Sequence, residues 1–253
     1  MTFTAQTNSA NEWKIIVNAI AILVEEASFE ATPEGIQFRG MDPSHVAMID
    51  LNWPNASFEK YECDKPFKLT VRVEELSKLI KRAAQKNRIT ISATDNEYLT
   101  IKLENGHKRE FKIRLIESSH TPSPVPKLAL NSKFEISKNS FVNVLNDVDA
   151  IADHITIETN QDNVKFIGIG DSGRAEIILE KNDDETLKIE SKENNKATYS
   201  LQYLLNIVKA IGAASDTINA EYSNGMPFKL QCKLGDSGGF MNFYLAPRVD
   251  DRE

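Results

Sequence analysis

The sequence predicts an α+β fold in which one domain pattern is used twice. Three observations carry that prediction. Shifted against itself by 128 positions, the chain places apolar residue on apolar residue over nearly its full length. In each half, two stretches of helical periodicity are interleaved with strand-like alternation. Between the halves lies a proline-rich segment with no periodicity. A repeat period this long marks duplicated domains, not a short-repeat solenoid. The predicted division is an N-terminal domain 1–117, a connecting loop 118–130 and a C-terminal domain 131–253.

Taken in order, the first helix is expected over Asn11–Glu25, with Trp13, Ile16, Val17, Ile20 and Leu23 on one face. Ser9 or Asn11 is placed to cap it. Strand alternation follows at Gly35–Phe38 and Val46–Leu51. A second helix over Val73–Lys86 buries Leu76, Leu79, Ile80 and Ala83. Strands at Ile89–Ser92, Tyr98–Leu103 and Glu110–Leu115 come next, separated by the turn signals Asp95-Asn96 and Asn105-Gly106. Pro122, Pro124 and Pro126 then keep the connecting loop out of any sheet, because proline lacks a ladder N–H. The second half repeats the pattern, with helices over Ser137–Ala152 and Ser200–Ile211. Trp13 falls on Phe141, Leu76 on Leu204 and Phe38 on Phe166; beyond the second helix the offset becomes 129, and Phe111 falls on Phe240.

Composition narrows the function classes. With 253 residues, 41% hydrophobic, the chain can bury a core, so disorder is excluded. No apolar run approaches the ~18 residues of a membrane helix, and the first residues lack the basic and apolar blocks of a secretory signal. A soluble intracellular protein is expected. Cys63 and Cys232 make neither a disulfide framework nor a metal site. The net charge of −7 argues against nucleic acid, but its distribution matters more. Residues 1–128 carry 17 basic and 17 acidic residues; of the totals of 30 and 37, that leaves 13 and 20 in the second half.

Two motifs mimic catalytic ones. Gly168, Gly170 and Gly173 match the dinucleotide fingerprint G-x-G-x-x-G, which requires a helix to start at the third glycine. The residues that follow, Arg174–Glu180, read as a strand, so a glycine-rich strand connection is expected instead. Gly235–Gly239 copies the nucleophile loop of trypsin-like proteases, with Ser237 as the serine. No histidine has the sequence setting of the required base, and the repeat lays this loop over the hairpin turn Gly106–Glu110. His45 beside Asp42 reads as a loop hydrogen bond rather than a catalytic pair. No metal-ligand spacing and no P-loop occur. More informative is the second helix, where Lys78, Lys81, Arg82 and Gln85 recur at helical spacing opposite the apolar face. Such a face is either simply solvated or a surface that neutralises phosphate charge without reading bases.

The stretch GIQFRGMDPSHVAM (residues 35–48), together with YLAPRVDD (residues 244–251), resembles the sliding clamps of the PCNA (proliferating cell nuclear antigen) family, most closely its archaeal members. The resemblance covers essentially the whole chain. It implies a closed trimeric ring of clamp domains, sheets outside and helices lining the hole, that encircles double-stranded DNA without sequence specificity. Such a ring is a processivity factor for DNA polymerase and a docking platform in replication and repair, not an enzyme. It uses no cofactor or metal; ATP is consumed by a separate clamp loader. Implied partners are DNA polymerase, clamp loader, flap endonuclease and ligase, through PCNA-interacting peptides, and further copies of the chain; no membrane is implied. The implied location is the archaeal cytoplasm at the nucleoid, or the nucleus in a eukaryote. Carried over by position, the partner-peptide surface comprises Met41, His45, Val46, Met48, Val125, Leu128, Pro227, Ala246 and Pro247. The DNA-facing residues are Lys14, Lys78, Lys81, Arg82 and Lys209. The subunit contact pairs strand His107–Leu115, with Lys108, Arg109, Phe111, Lys112 and Arg114, against Gly173–Glu180, with Arg174, Glu176, Ile178 and Glu180. The chain departs from the family on its third helix, where Asn143, Asn146, Asp147 and Asp149 stand in place of basic residues. Alternatives are one subunit of a heterotrimeric clamp, a specialised repair ring, or, from another class, a hydrolase using Ser237.

Overall fold

The computed structural model describes residues 2–117, 124–181, 186–212 and 214–249. Residues 118–123 of the expected connecting loop, and Asp250 and Asp251 of the terminal stretch, lie outside them. The first half runs β1 (Phe3–Thr7), α1 (Asn11–Leu23), β2 (Glu26–Thr32), β3 (Gly35–Met41), β4 (Ala47–Pro54), a 3-10 turn (Asn55–Ser57), β5 (Lys60–Cys63), β6 (Phe67–Arg72), α2 (Val73–Ile80), β7 (Arg88–Ala93), β8 (Tyr98–Asn105) and β9 (His107–Arg114). The second half runs β10 (Ser132–Ser137), α3 (Lys138–Asp149), β11 (His154–Thr159), β12 (Asn163–Gly170), β13 (Gly173–Glu180), β14 (Thr186–Ser191), β15 (Asn195–Ser200), α4 (Leu201–Ile211), β16 (Thr217–Tyr222), β17 (Phe228–Leu234) and β18 (Gly239–Leu245).

The repeat seen in the sequence holds element by element. Strands β1 to β9 correspond in order to β10 to β18, and α1 and α2 to α3 and α4. Strand order repeats as well. The first unit holds an antiparallel sheet β5-β1-β7-β8-β9 and the order β4-β3-β2-β6; the second holds β14-β10-β16-β17 and β13-β12-β11-β15. Contacts divide the chain into a first unit of Met1–Val125 with Lys233–Met241, and a second of Pro126–Cys232 with Asn242–Glu253.

Each unit has its own core. In the first, α1 packs on α2 and over β3 and β4. Trp13 meets Trp53 edge-on at 4.8 Å between ring centres, and Phe58 extends the stack to Tyr61. In the second, Phe141 of α3 packs on Phe134 and Phe166, Phe134 meets Phe228, and Tyr199 and Tyr222 lie alongside. The Tyr222 hydroxyl, fully buried, bonds Thr159 Oγ1 at 2.7 Å and the carbonyls of Ile157 and Asn195 at 3.2 Å. Burial pushes both tyrosine hydroxyls and the thiols of Cys63 and Cys232 upward in pKa, Cys232 to about 11.

Several element ends differ from expectation, and one matters for function. The second helix stops at Ile80, not Lys86. Arg82 N–H donates to Leu79 and Ala83 N–H to Ile80, tightening the chain into turns. Asn87, 1% exposed, then accepts the Ala84 N–H on its Oδ1, which the Arg109 guanidinium also reaches. A buried asparagine that takes the backbone N–H three residues earlier ends a helix that propensity alone would continue. The first and third helices are also shorter than expected, at Asn11–Leu23 and Lys138–Asp149. At the start of α1 the N-cap is Ala10, which makes no side-chain cap, so neither Ser9 nor Asn11 holds the expected position; Ser9, one residue earlier, accepts the Asn11 N–H on its hydroxyl at 3.1 Å. Strands β1, β2, β5 and β6 were not singled out by periodicity, being short or rich in polar residues.

Candidate functional site

The dinucleotide-like glycines are explained by packing. Gly168 and Gly170 lie within β12, and Gly173 opens β13, so the motif is a β-hairpin with no helix at its third glycine. A Cβ on Gly168 would sit 2.6 Å from Val148 Cγ1, and one on Gly170 only 1.9 Å from the Ile151 carbonyl oxygen. These glycines let the end of α3 approach the sheet. Of the protease-like loop, Gly235–Gly238 is an exposed turn between β17 and β18, with Gly235 and Gly238 at φ 62° and 83°, and Gly239 is buried at the start of β18. Ser237 lies on that turn, as the repeat predicted. Among the described residues no cluster of three metal-ligating side chains occurs, and no helix is long and apolar enough to cross a membrane.

The basic residues divide by their surroundings. Lys14 is half-buried on α1, Lys78 exposed on α2 and Lys209 exposed in the last turn of α4. Lys81 closes α2 at its C-cap and Arg82 lies just beyond, so these two are carried by the turn that Asn87 and Arg109 brace. The helical spacing that grouped Lys78, Lys81, Arg82 and Gln85 therefore does not describe one continuous helix face. Lys78 is tied to Glu74 one turn earlier at 2.5 Å. That hydrogen bond holds the ammonium above its usual pKa and the carboxyl below its own. Lys14, Lys81, Arg82 and Lys209 make no ion pair among the described residues. On α3, Asn143, Asn146, Asp147 and Asp149 are all exposed. Lys138 at its start is committed to the Gly212 carbonyl at 2.9 Å and to Asp216.

The bend between β3 and β4 presents a different chemistry. Met41 pairs with Met48 across the two strands; Met41 is half-buried, whereas Met48 is 3% exposed and underlies the surface instead of forming it. His45 is exposed and Val46 half-buried. In the first unit Val125 is also half-buried. In the second unit Leu128, Pro227, Ala246 and Pro247 are half-buried, and Arg248 N–H fastens the terminal segment to the Thr198 carbonyl at 2.7 Å. Each unit thus exposes a modest apolar surface around these positions.

Two of the strands that end sheets bear on assembly: β9 is one edge of the five-stranded sheet, opposite β5, and β13 one edge of the four-stranded sheet, opposite β15. The core-facing row of β9 contains Arg109, Phe111 and Ile113, opposite the buried Leu103, Ile101 and Leu99 of β8. That of β13 contains Ala175 and Ile177, opposite Gly168 and Phe166. All five remain half-buried, because no further strand covers them. Ile113, Ala175 and Ile177 escaped the sequence reading, although an alternating apolar row on a strand would have revealed them. Ile178, which that reading chose, points to the other face and is 44% exposed. Lys108, Lys112 and Arg114 line the outer row of β9 and are exposed. On β13, Glu176 is already engaged by Arg174 and by Lys165, which moderates the charge contrast expected between the edges; Glu180 is exposed.

Comparison with known proteins follows the same division. Residues 2–120 match the family model for the proliferating cell nuclear antigen N-terminal domain, and residues 124–248 that for its C-terminal domain. The chain is 47% identical over 249 residues to a DNA polymerase sliding clamp from Cenarchaeum symbiosum, covering 98% of this chain and 99% of that protein. It is likewise 47% identical over 250 residues to the protein of that name from Nitrosopumilus maritimus, covering 99% and 100%. A crystal structure of PCNA from Thermococcus kodakaraensis superposes with a TM-score of 0.91 at 23% identity, over 97% of this chain and all of that one.

Proposed function

The chain belongs to the proliferating cell nuclear antigen family and is a DNA sliding clamp, and from that premise we propose that three copies close head to tail into a ring around duplex DNA. It serves replication as a DNA polymerase processivity factor. The observation that carries the ring is one of strand order. β18 is the counterpart of β9, and β4 the counterpart of β13. Within the first unit, the Gly239–Met241 end of β18 stands beside β4. That within-unit pairing joins the same two strand types that the β9 edge of one copy and the β13 edge of the next would bring together. A contact between two different surfaces closes a ring when its rotation permits. Joining the edges would cover Phe111, Ile113, Ala175 and Ile177 and remove two open ladders. Lys108, Arg109, Lys112 and Arg114 would then face Arg174, Glu176, Ile178 and Glu180 across the junction.

Lys14, Lys81, Arg82 and Lys209 supply the positive charge toward DNA, with Lys78 contributing less because Glu74 holds it. With Asp147 and Asp149 exposed on α3, contact falls mainly to the turn after α2. Topological linkage makes a weak, sequence-independent attraction sufficient. Partner enzymes, among them clamp loader, flap endonuclease and ligase, dock by peptides. For these the first unit offers Met41, His45, Val46 and Val125 over Met48, and the second offers Leu128, Pro227, Ala246 and Pro247. The chain acts without catalysis of its own, at the chromosome. Light scattering at low micromolar concentration tests the assembly, and polymerase stimulation on primed circular DNA tests the role. About three chain masses with stimulation is the expected result; a stable monomer that stimulates nothing alone would overturn the self-sufficient ring and favour a heterotrimer subunit.

A further inference from the structure

Asp42 occupies the bend between β3 and β4 and is 3% exposed. Its carboxylate is wrapped by the chain that follows. Oδ2 accepts the Ser44 N–H at 3.0 Å, and Oδ1 accepts those of Val46 at 2.8 Å and Ala47 at 2.6 Å. The Asp42 carbonyl accepts the His45 N–H at 2.9 Å, and the Asp42 N–H donates to the Ala47 carbonyl at 2.9 Å. Pro43 has no N–H, so every backbone donor from 43 to 47 is committed to this one residue. Inside the wrap His45 is held at φ 59°, the one non-glycine residue with positive φ among the described residues. That region is unfavourable for a side-chain-bearing residue and persists only where the surroundings over-determine it. The result is outward presentation: Pro43, Ser44 and His45 are exposed, with Val46 half-buried.

We infer that Asp42 is a positioning residue for partner docking: its carboxylate pre-forms the bend, so that His45 and Val46 meet an aromatic-anchored peptide already in their bound arrangement. The inference rests on the assignment of His45 and Val46 to the docking surface. Asp42 itself lies beneath the bend and acts through it. Without the wrap, the bend samples many shapes, and apparent affinity falls in proportion to the fraction that remains competent. Asparagine at this position keeps an acceptor for the Val46 and Ala47 N–H groups but turns a donor toward that of Ser44.

The test is fluorescence anisotropy with a labelled PCNA-interacting peptide bearing aromatic anchors, on full-length Asp42→Asn, Asp42→Ala and Val46→Asp. Each variant is checked by circular dichroism and light scattering, and binding is measured well below the melting temperature. Asp42→Ala should bind roughly tenfold or more weakly, as expected if about a tenth of molecules keep the competent bend. Asp42→Asn should fall between it and the parent, and both should keep the parent's mass. That graded order in fully folded protein is what a purely structural role would leave flat. Parent-like binding by Asp42→Asn and Asp42→Ala, while Val46→Asp abolishes it, overturns the positioning role. Parent-like binding by Val46→Asp overturns the docking assignment itself. If Asp42→Ala does not fold, Asp42→Asn decides alone: weakened binding at unchanged mass supports the inference, and parent-like binding overturns it.

Discussion

Replacing both Lys81 and Arg82 by glutamate should change how salt governs the clamp's hold on DNA. Both residues are exposed on the turn after α2, and neither has an ion-pair partner among the described residues. A ring of three subunits would lose about six phosphate contacts if all engage at once, and about two if the duplex leans on one subunit at a time. At about 0.9 per neutralised phosphate, the slope of log affinity against log salt should shallow by about 5 in the first case and about 2 in the second. Lys78→Ala should do less, since Lys78 is already bonded to Glu74, although so exposed a pair is weak and yields to a phosphate. The assay is the dwell time of loaded clamps on linear duplex with free ends, measured from low to moderate salt. A double variant whose salt dependence matches the parent would refute the assignment of DNA contact to this turn. An equal effect from Lys78→Ala would refute the ranking.

Other consequences are open to direct measurement. Phe111→Asp or Ile177→Asp would place a carboxylate in the joined sheet edge, where an unpaired buried charge costs several kcal/mol; light scattering should then give a monomer that melts cooperatively. Gly170→Ala drives a methyl into the Ile151 carbonyl, and thermal unfolding should show a loss of about 1–3 kcal/mol, as for other overpacked sites. Alkaline pH should destabilise the second unit. The Cys232 thiol is raised from 9.0 to about 11. Its contribution is thus fully present below pH 9 and is lost as pH climbs through 11, up to about 2–3 kcal/mol at the usual cost per pKa unit. Denaturant titrations across that window should show the decline, and Cys232→Ala should lessen it by the thiol's share, leaving what the buried Tyr199 and Tyr222 hydroxyls contribute.

Much of the molecule was legible because its signals are local. The i, i+3, i+4 spacing of Trp13, Ile16, Val17 and Ile20 needs only one helix to make sense, and all four are buried. The repeat offsets survive in the structure because the same apolar rows fill two separate cores. Turn chemistry was equally local: Gly235 and Gly238 take the positive φ of a tight turn, so the serine between them belongs to a loop. The end of α2 was not legible. Ala83 and Ala84 favour helix, and only Asn87, held with Arg109 from β9, stops it. Nor was the burial of Met48, which depends on what packs over β4.

By itself, then, the sequence determined a duplicated α+β chain, its strand and helix types and its family, since periodicity, turn residues and motif order are written in neighbouring positions. Only the tertiary structure decided which strands are left without a neighbour, which lysines are already paired and how one buried carboxylate gathers a whole bend. Those outcomes depend on partners far apart in the chain. Thr159 meets Tyr222 across 63 residues. Arg109 reaches Asn87 across 22. No local pattern encodes such meetings, because the free energy that selects them comes from burying several segments together.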